Sequence, residues 1–580
     1  MTIHHGKLVR QGNGRFAIAS EDGKILTLRL PELSAELGLV KSGDSRFDGV
    51  AVDFDRDGEK GEPKNIREAG KPHVVSAPPP VAAGPVRVPG RGYAAKAGFH
   101  NPYSFIPALP RAGLDGSPLG DAKPCGHDRL LKEHWSGWID VKLTTKTPLL
   151  MLDAARAKAN PTVTGHACYA TRTDPEGKPY LAPTSIRGAL RSAYEAITNS
   201  RFGVYDSAHK HPLSYRPGHP RVREYYRFSP AALLDDSLKP ATSIDKLSPA
   251  DRVFGWVNPE GDGAYRGQLR IGPVHCEAER KDALVEFEKP VPLAILGQPR
   301  PASGRFYVAE DRTGTAQKAR KTKESAGYSD QGKGLRGRKV YPHHSWIDRP
   351  ELANYWTPEA EQPGAGPTFV REYLRTANRL DGQNRSIKDW IAPGTTFNFR
   401  VHVENLSAVE LGALLWLLPS GGKKYLRLGG GKPLGFGSVG LEAVEVDLAT
   451  GAAWANRFRN FSRTFSPTDP GAAQGEGEII GSLKLRSPPS AGVAGVAGLV
   501  DGFVDEAKRC FKDHQNRPLL DYATRAATGF GDALPVHYPR SAAIRDPEGK
   551  NFTWFVANDA RGGPGLTLPG LLDDKELPYQ

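Results

Sequence analysis

A glycine-rich segment near the middle of the second half constrains this chain most. Residues 426–441, "LRLGGGKPLGFGSVGL", place glycines on both sides of Lys432. Glycine reaches positive φ and lets another molecule approach the backbone closely, but each glycine costs conformational entropy on folding. The segment therefore predicts either contact with a ligand or a tightly packed turn.

The length of the chain indicates how many domains to expect, and its charge indicates which class of binding partner it favours. A chain of 580 residues is too long for one hydrophobic core, so we expect about two to four domains. The formal net charge is +13 and the pI is about 9.3. Such a balance favours a polyanionic partner, of which nucleic acid is the most common.

Cysteine usage and hydropathy bear on the compartment. The four cysteines are scattered and no C-x-x-C occurs, which argues against a disulfide framework or structural zinc and fits a reducing cytosol. No apolar run approaches the roughly 20 residues that span a bilayer. The start, "MTIHHGKLVR", lacks the apolar core of a signal peptide. We expect a cytoplasmic protein without a membrane partner.

The two ends of the chain differ from its middle. Residues 1–70 read as short alternating strands separated by Asp-Gly turns, which predicts a small β-barrel. Residues 71–97 are rich in Pro, Ala and Gly and predict an extended linker. Residues 451–580 predict a mixed C-terminal extension to which the sequence assigns no role.

Residues 98–450 alternate between strand and helix patterns. The strand "GWIDVKLTTKTPLLML" precedes the helix "APTSIRGALRSAYEAI", and the strand "TFNFRVHVENLS" precedes the helix "AVELGALLWLLP" and a last strand, "GSVGLEAVEVDL". This order predicts an α+β protein with a ferredoxin-like core. A long basic insertion occupies about 300–390, and its aperiodic stretch 312–339 predicts a mobile loop.

The first helix carries two arginines on one face. Arg187 and Arg191 lie four residues apart, with Gly188 between them and Ser185 before them. Two like charges near a helix N-terminus suit a phosphate group. In the alternative interpretation Arg191 pairs with Glu195 and Arg187 is solvated.

The glycine-rich segment is not a P-loop, because "GGGKPLG" lacks the G-K-[ST] ending and precedes a strand. Its main-chain N–H groups, together with Arg427 and Lys432, suit a nucleic-acid backbone. A tight turn packed against a helix is the structural alternative.

Four segments, in this order, resemble one protein family. "PYLAPTSIRGALRSAYE", "DRVFGWVNPEGDGAYRGQLRIG", "FNFRVHVENLSAVELGALLWLL" and the glycine-rich segment resemble the RAMP (repeat-associated mysterious protein) superfamily of CRISPR-associated proteins. The likeness covers roughly residues 98–445 and is greatest to the backbone subunits of type III effector complexes. Residues 1–70 resemble a cold-shock domain.

The resemblance implies a function in antiviral defence. It implies an RRM-like core that holds guide RNA by its sugar-phosphate backbone, beside other CRISPR effector subunits and a complementary target RNA. In this groove the resemblance places Arg187, Arg191, Gly435, Phe436 and Gly437. Together with the patterns of the helix and of the glycine-rich segment, we expect Ser185, Gly188, Arg427, Gly430, Gly431 and Lys432 to bind RNA as well.

The resemblance also raises target cleavage. Several type III backbone subunits use an aspartate in the loop after the first strand, and here the candidates in residues 151–183 are Asp153, His166 and Asp174. An Asp would hold Mg²⁺ or assist the 2′-hydroxyl, and His166 would act as a general acid or base. No Asp stands squarely at the family's position, so whether the protein is an endoribonuclease stays open.

Two other functions fit parts of the sequence. A stand-alone RNA endonuclease that processes precursor guide RNA would use His166. A general RNA chaperone would use the N-terminal barrel, but chaperones of that kind stack bases on clustered aromatics. Only Phe16 lies on the expected strand, which favours a protein contact for the barrel.

Overall fold

The chain divides into two compact units, Met1–Ala94 and Ala95–Gln580, in a computed structural model. The structure describes residues 2–11, 16–28, 37, 47–56, 62–71, 98–203, 210–214, 225–358, 370–419, 423–459, 479–484, 491–543 and 552–580. The expected linker therefore lies, beyond residue 71, outside the described residues. Among these residues, each helix is too short or too polar to span a lipid bilayer.

The first unit contains one antiparallel sheet. Its strands are β1 (Thr2–Arg10), β2 (Phe16–Ser20), β3 (Ile25–Thr27), β4 (Ala51–Arg56) and β5 (Lys64–Glu68). They pair in the order β3-β2-β1-β4-β5, and Leu8, Ile18 and Phe54 form its core. Phe16, the aromatic residue on the expected base-stacking strand, is 7% exposed and packs into this core instead. The cold-shock likeness stays a prediction.

The second unit is α+β. Its strands are β6 (Gly98–Phe99), β7 (Ser104–Ile106), β8 (Trp135–Thr145), β9 (Lys158–Ala159), β10 (Ala167–Tyr169), β11 (Trp256–Val257), β12 (Ala264–Tyr265), β13 (Leu269–Ile271), β14 (His275–Cys276), β15 (Leu284–Pro292), β16 (Val308–Ala309), β17 (Gly334–Leu335), β18 (Arg338–Val340), β19 (Ser386–Ile391), β20 (Thr396–Leu406), β21 (Leu426–Arg427), β22 (Ser438–Thr450), β23 (Ile479–Lys484) and β24 (Leu577–Pro578).

Its helices lie between these strands and in the C-terminal extension. They are α1 (Pro183–Ile197), α2 (Pro230–Leu233), α3 (Pro249–Phe254), α4 (Arg280–Ala283), α5 (Gly304–Tyr307), α6 (Ala408–Trp416), α7 (Gly451–Arg459), α8 (Ala491–Cys510), α9 (Leu519–Thr528) and α10 (Thr553–Asp559).

A seven-stranded antiparallel sheet forms the centre of the second unit. Four of its strands pair in the order β13-β20-β8-β22; β14 also pairs with β20, and β21 and β23 pair with β22. Helix α1 lies in sequence between β8 and β13, and α6 lies between β20 and β22. The strand and helix patterns of the sequence thus correspond to real elements, and the α+β class is confirmed.

Side-chain alternation along β8 explains how the helices pack on this sheet. Ile139, Val141 and Leu143 are buried on one face, in one core with Leu190 of α1 and Leu411 of α6. Because neighbouring residues of a strand point to opposite faces, the residues between them form the face turned away from α1 and α6.

A second, four-stranded sheet has the order β15-β19-β10-β9, with β10 parallel to β19. Trp390 on β19 is fully buried. It packs in a separate core with Tyr373 and Phe436 and against Trp356. This core lies beneath the glycine-rich segment, since Phe436 belongs to both.

The prediction that residues 312–339 form a mobile loop is wrong. Tyr328 is 1% exposed, and Arg336 is buried and donates to Leu568 O at 2.5 Å. The buried Gln317 amide donates to three carbonyls, including Val308 O at 2.9 Å. The segment lacks periodicity because polar side chains that bind backbone carbonyls, rather than an apolar face, hold it in place.

Candidate nucleic-acid interface

The face of helix α1 that lines a large cavity carries small side chains. Pro183 occupies its first turn, where the missing N–H costs no hydrogen bond. The buried Leu190 and its apolar neighbours face the core. Around the helix from them, Ser185, Gly188 and Ser192 line a cavity of about 590 Å³.

The glycine-rich segment forms the opposing wall of the same cavity. Arg427, Gly429 and Lys432 line it, and a short 3₁₀-helix, Lys432–Leu434, leads into β22. Gly429 and Gly431 have φ of 73° and 64°, which only glycine adopts without strain. Two segments about 230 residues apart in sequence therefore meet across one cavity.

Five cationic side chains line this cavity. They are Arg338, Lys339, Lys424, Arg427 and Lys432, and Glu195 is the one carboxylate among the lining residues that the structure describes. Glu195 pairs with Arg191 at 2.9 Å. Within the described ranges none of the five cations makes an ion pair. We call this surface the basic cavity.

Burial lowers the pKa of each of these cations. The pKa of Arg338 falls to about 10, that of Arg427 to about 9 and that of Lys339 to about 8, in each case chiefly because burial disfavours the charged form. Burial, and the charge of Arg427, also lower the pKa of Lys432. An anion entering the cavity would reverse these shifts.

Aromatic rings support several of the cations. The Lys424 Nζ lies 4.4 Å from the Trp416 ring centroid, and the Lys339 Nζ lies 3.9 Å from that of Tyr103. The Arg338 guanidinium lies 4.5 Å from the centroid of Phe202. Cation–π contacts of this kind hold a charge in place without neutralising it.

Internal packing does not require glycine at two exposed positions, Gly188 on the cavity side of α1 and Gly430 in the glycine-rich segment. A Cβ placed on Gly188 would meet no atom within 4 Å, and Gly188 is exposed. A Cβ on Gly430 would come no closer than 3.8 Å to Leu150 O. Gly188 moreover sits within a helix, where glycine costs about 1 kcal/mol relative to alanine. Packing within the described residues therefore does not explain that cost.

The two arginines of α1 are not where the sequence placed them. Arg191 donates to Glu195 at 2.9 Å, to Asp251 at 3.1 Å and to Gly255 O at 2.8 Å. Arg187 donates to Phe254 O. Both therefore bind α3 or the glycine that follows it, and neither lines the basic cavity. The alternative interpretation, in which Arg191 pairs with Glu195, is the correct one, but Arg187 is not simply solvated.

Three residues of the glycine-rich segment are buried, which corrects the prediction that they contact RNA. Phe436 is 0% exposed, and its ring centroid lies 5.0 Å from that of Trp356. A Cβ on Gly435 would lie 3.1 Å from His344 Nδ1, and one on Gly437 would clash with Leu428 O. These positions form the tight turn of the structural alternative.

Gly431 and Arg427 combine the two roles. A Cβ on Gly431 would lie 2.8 Å from Phe436 Cδ2, so packing also demands this glycine. The Arg427 guanidinium donates to Lys432 O at 2.6 Å and to Ser438 Oγ. Arg427 therefore fixes the shape of the turn as well as adding charge to the cavity.

Sequence reasoning missed three of the five cations. Arg338 and Lys339 lie on β18, within the basic insertion, and Lys424 lies just before β21. The signals were the runs "GLRGRK" and "GGKKY". A basic run alone does not reveal which element its side chains will face.

The candidate nuclease residues are engaged in local structure. His166 is 3% exposed, and its ring nitrogens lie 3.0 Å from Asn384 Oδ1 and 2.9 Å from Ser386 Oγ. Asp153 accepts from Ala155 N at 3.0 Å. Asp174 accepts from Lys178 N at 2.9 Å in a turn. The buried His166 is held as a structural residue, which corrects its prediction as a general acid or base.

These residues also do not fit a Mg²⁺ ion. Magnesium requires several oxygen ligands in near-octahedral array. In the described ranges no group of three or more His, Cys, Asp or Glu side chains could hold a metal, and Asp153 is paired with Arg156 at 3.5 Å.

Comparisons with known proteins identify the family. The model of the RAMP superfamily matches residues 142–440, whereas no curated protein matches the sequence. A chain of a solved structure titled "Type IV-B CRISPR Complex" is 16% identical, with 58% of this chain and 96% of that chain covered and a TM-score of 0.22. Another, titled "Crystal structure of Thermofilum pendens Csc2", is 11% identical, with 71% of this chain and 92% of that chain covered and a TM-score of 0.24.

The residues matched by the family model include α1 and the cavity-lining part of the glycine-rich segment, which form opposing walls of the basic cavity. The match begins within β8, ends within β22, and spans just over half of the 580 residues. The chain therefore belongs to the RAMP superfamily.

Proposed function

We propose that this protein binds guide RNA in the basic cavity, as a backbone subunit of a type III-like CRISPR effector complex in antiviral defence. The observation that carries the proposal is the set of five cations around one cavity that make no ion pair among the described residues, beside Gly188, where internal packing does not need a glycine. Phosphates would neutralise the cations, and bare backbone at Gly188 and Gly430 would admit a ribose-phosphate strand.

The strand order supports the type of core that the function needs. The order β13-β20-β8-β22, with α1 and α6 as the two connecting helices, supports a ferredoxin-like, RRM-like sandwich. We propose that this core extends over residues 98–450, that residues 1–70 form a cold-shock-like barrel, and that 451–580 form an extension. The other partners would be a complementary target RNA and neighbouring effector subunits.

Recognition through phosphates predicts the specificity of binding. Contacts to the backbone carry no base information, so affinity should not depend on guide sequence. The positions of Asp153, His166 and Asp174 give no support to cleavage by this subunit, and the proposed function is therefore RNA binding alone.

Charge reversal in the cavity tests this function. The full chain, with Lys432→Glu or with the control Lys289→Glu on the exposed side of β15, is titrated with guide RNAs of different sequence at several salt concentrations. Each lost phosphate contact lowers the slope of log K against log salt by about 0.7 for a single strand. We expect that loss for Lys432→Glu only; equal slopes and affinities for both variants would refute the proposal.

A further inference from the structure

A second surface, on the other face of the central sheet, has features of its own. Trp138, Asp140 and Lys142 alternate with the buried residues of β8 and are half-buried on the face turned away from α1. On the neighbouring strand, His402, Arg400 and Asn398 lie directly opposite them. An antiparallel sheet often leaves one such face in water.

Arg400 and Trp138 form a stack on this face. The Arg400 guanidinium lies 3.8 Å from the Trp138 ring centroid. Asp140 accepts from Arg400 Nε at 2.7 Å and from its Nη2 at 2.8 Å. Trp138 thus covers one face of the guanidinium plane, and Asp140 fixes its edge. The Arg400 side chain nevertheless remains 42% exposed.

The open side of this stack adjoins a cavity of about 680 Å³. Arg400, His402 and Lys142 line it, together with the exposed His275. Its carboxylates are already hydrogen-bonded: Asp140 holds Arg400, and Glu277 accepts from Thr396 Oγ1 at 2.7 Å.

Charge is divided across the sheet. Beyond β20, the exposed Arg270 on β13 lies directly opposite His402. On the other side of β8, β22 carries Glu445 and Asp447 opposite Asp140 and Trp138. An anionic strand would therefore cross β20 and β13 rather than β22.

We infer that this face binds single-stranded RNA at a site separate from the basic cavity, with one base stacked on the open face of the Arg400 guanidinium. Guanidinium planes accept bases in this way and do so without base selectivity. Lys142 and Arg270 contact the adjoining phosphates. The site goes beyond the proposed function, because α1 and the basic cavity lie on the opposite side of the sheet.

The test uses the full chain with Lys432→Glu, so that the basic cavity contributes little. Arg400→Lys keeps the charge but removes the planar, two-pronged geometry. The matched control is Arg280→Lys, since Arg280 pairs with Glu286 at 2.5 Å and is 48% exposed, and no aromatic ring in the described part of the chain stacks on it. A short 4-thiouridine oligonucleotide is titrated by fluorescence anisotropy and then cross-linked, and the adducts are mapped by mass spectrometry.

We expect Arg400→Lys to weaken binding by about five-fold or more and to remove adducts from peptides of β8 and β20, whereas Arg280→Lys changes neither. Equal affinity for the two variants, or adducts confined to α1 and the glycine-rich segment in the unsubstituted protein, overturns the inference. Mapping on the unsubstituted protein keeps the test decisive if a variant folds poorly.

Discussion

Replacing Gly188 by alanine separates a role in folding from a role in binding. The substitution adds one methyl group to the face of α1 that lines the basic cavity. Because a Cβ at this position meets no atom within 4 Å, the free protein accommodates it without strain. Alanine also favours the helix by about 1 kcal/mol over glycine. We therefore expect the free protein to be slightly more stable.

RNA binding should change in the opposite direction. If the RNA backbone contacts Gly188, the methyl group intrudes into a packed interface, at a cost of about 1–3 kcal/mol. That cost corresponds to an affinity roughly five- to hundred-fold weaker. The assay is a thermal melt of the free protein beside a fluorescence-anisotropy titration with guide RNA.

A matched control lies on another helix. Gly502 is exposed within α8, its Cβ would also meet no atom within 4 Å, and it lies outside the residues lining the cavity. Gly502→Ala should raise stability similarly and leave RNA affinity unchanged. Unaltered affinity in Gly188→Ala, or an equal loss in both variants, would refute the reasoning.

Three further predictions concern single residues. Burial lowers the pKa of Lys339 to about 8, so its charge, and with it RNA affinity, should fall as pH rises through 8 at fixed salt; Lys339→Arg should flatten that titration. Phe436→Ala should lower the free energy of unfolding by about 3–5 kcal/mol, measured by denaturant titration, without altering the RNA affinity of folded protein. His166→Ala should cost about 1–3 kcal/mol of stability by the same measurement, and repeat-RNA cleavage lost only with His166 would contradict its structural role.

Local patterns predicted the helices and strands because their signals are short-range. The apolar positions Ile186, Leu190 and Ile197 recur at helical spacing and are buried in α1. The glycine-rich segment predicted a backbone with positive φ values, and the structure has them at Gly429 and Gly435. Helix α1 and the glycine-rich segment meet across one cavity because α1 packs on the central sheet, to which β21 and β22 at the two ends of the segment belong.

Side-chain partners from distant parts of the chain could not be predicted. Arg191 turns to Asp251 and Gly255, which follow a long stretch without periodicity. Phe436 is buried because Trp356 and Trp390 converge on it from the insertion and from β19. No spacing in the sequence relates such residues, because tertiary packing alone brings them together.

Residue type alone also misassigned the candidate site. A histidine in a loop suits catalysis, yet the His166 ring, between β9 and β10, hydrogen-bonds to three polar atoms at the start of β19 and in the turn before it. Conversely, Arg338 lies in a stretch predicted to be mobile and is buried at the cavity wall. Exposure decided both outcomes, and exposure depends on the whole fold.

The path of RNA across the protein tests the central claim most directly. A structure of the full chain bound to a guide RNA would locate the phosphates. We expect them between Gly188 of α1 and Lys432, with the ribose-phosphate strand against the bare helix face. An RNA that follows another path and leaves the basic cavity open to solvent would contradict the account.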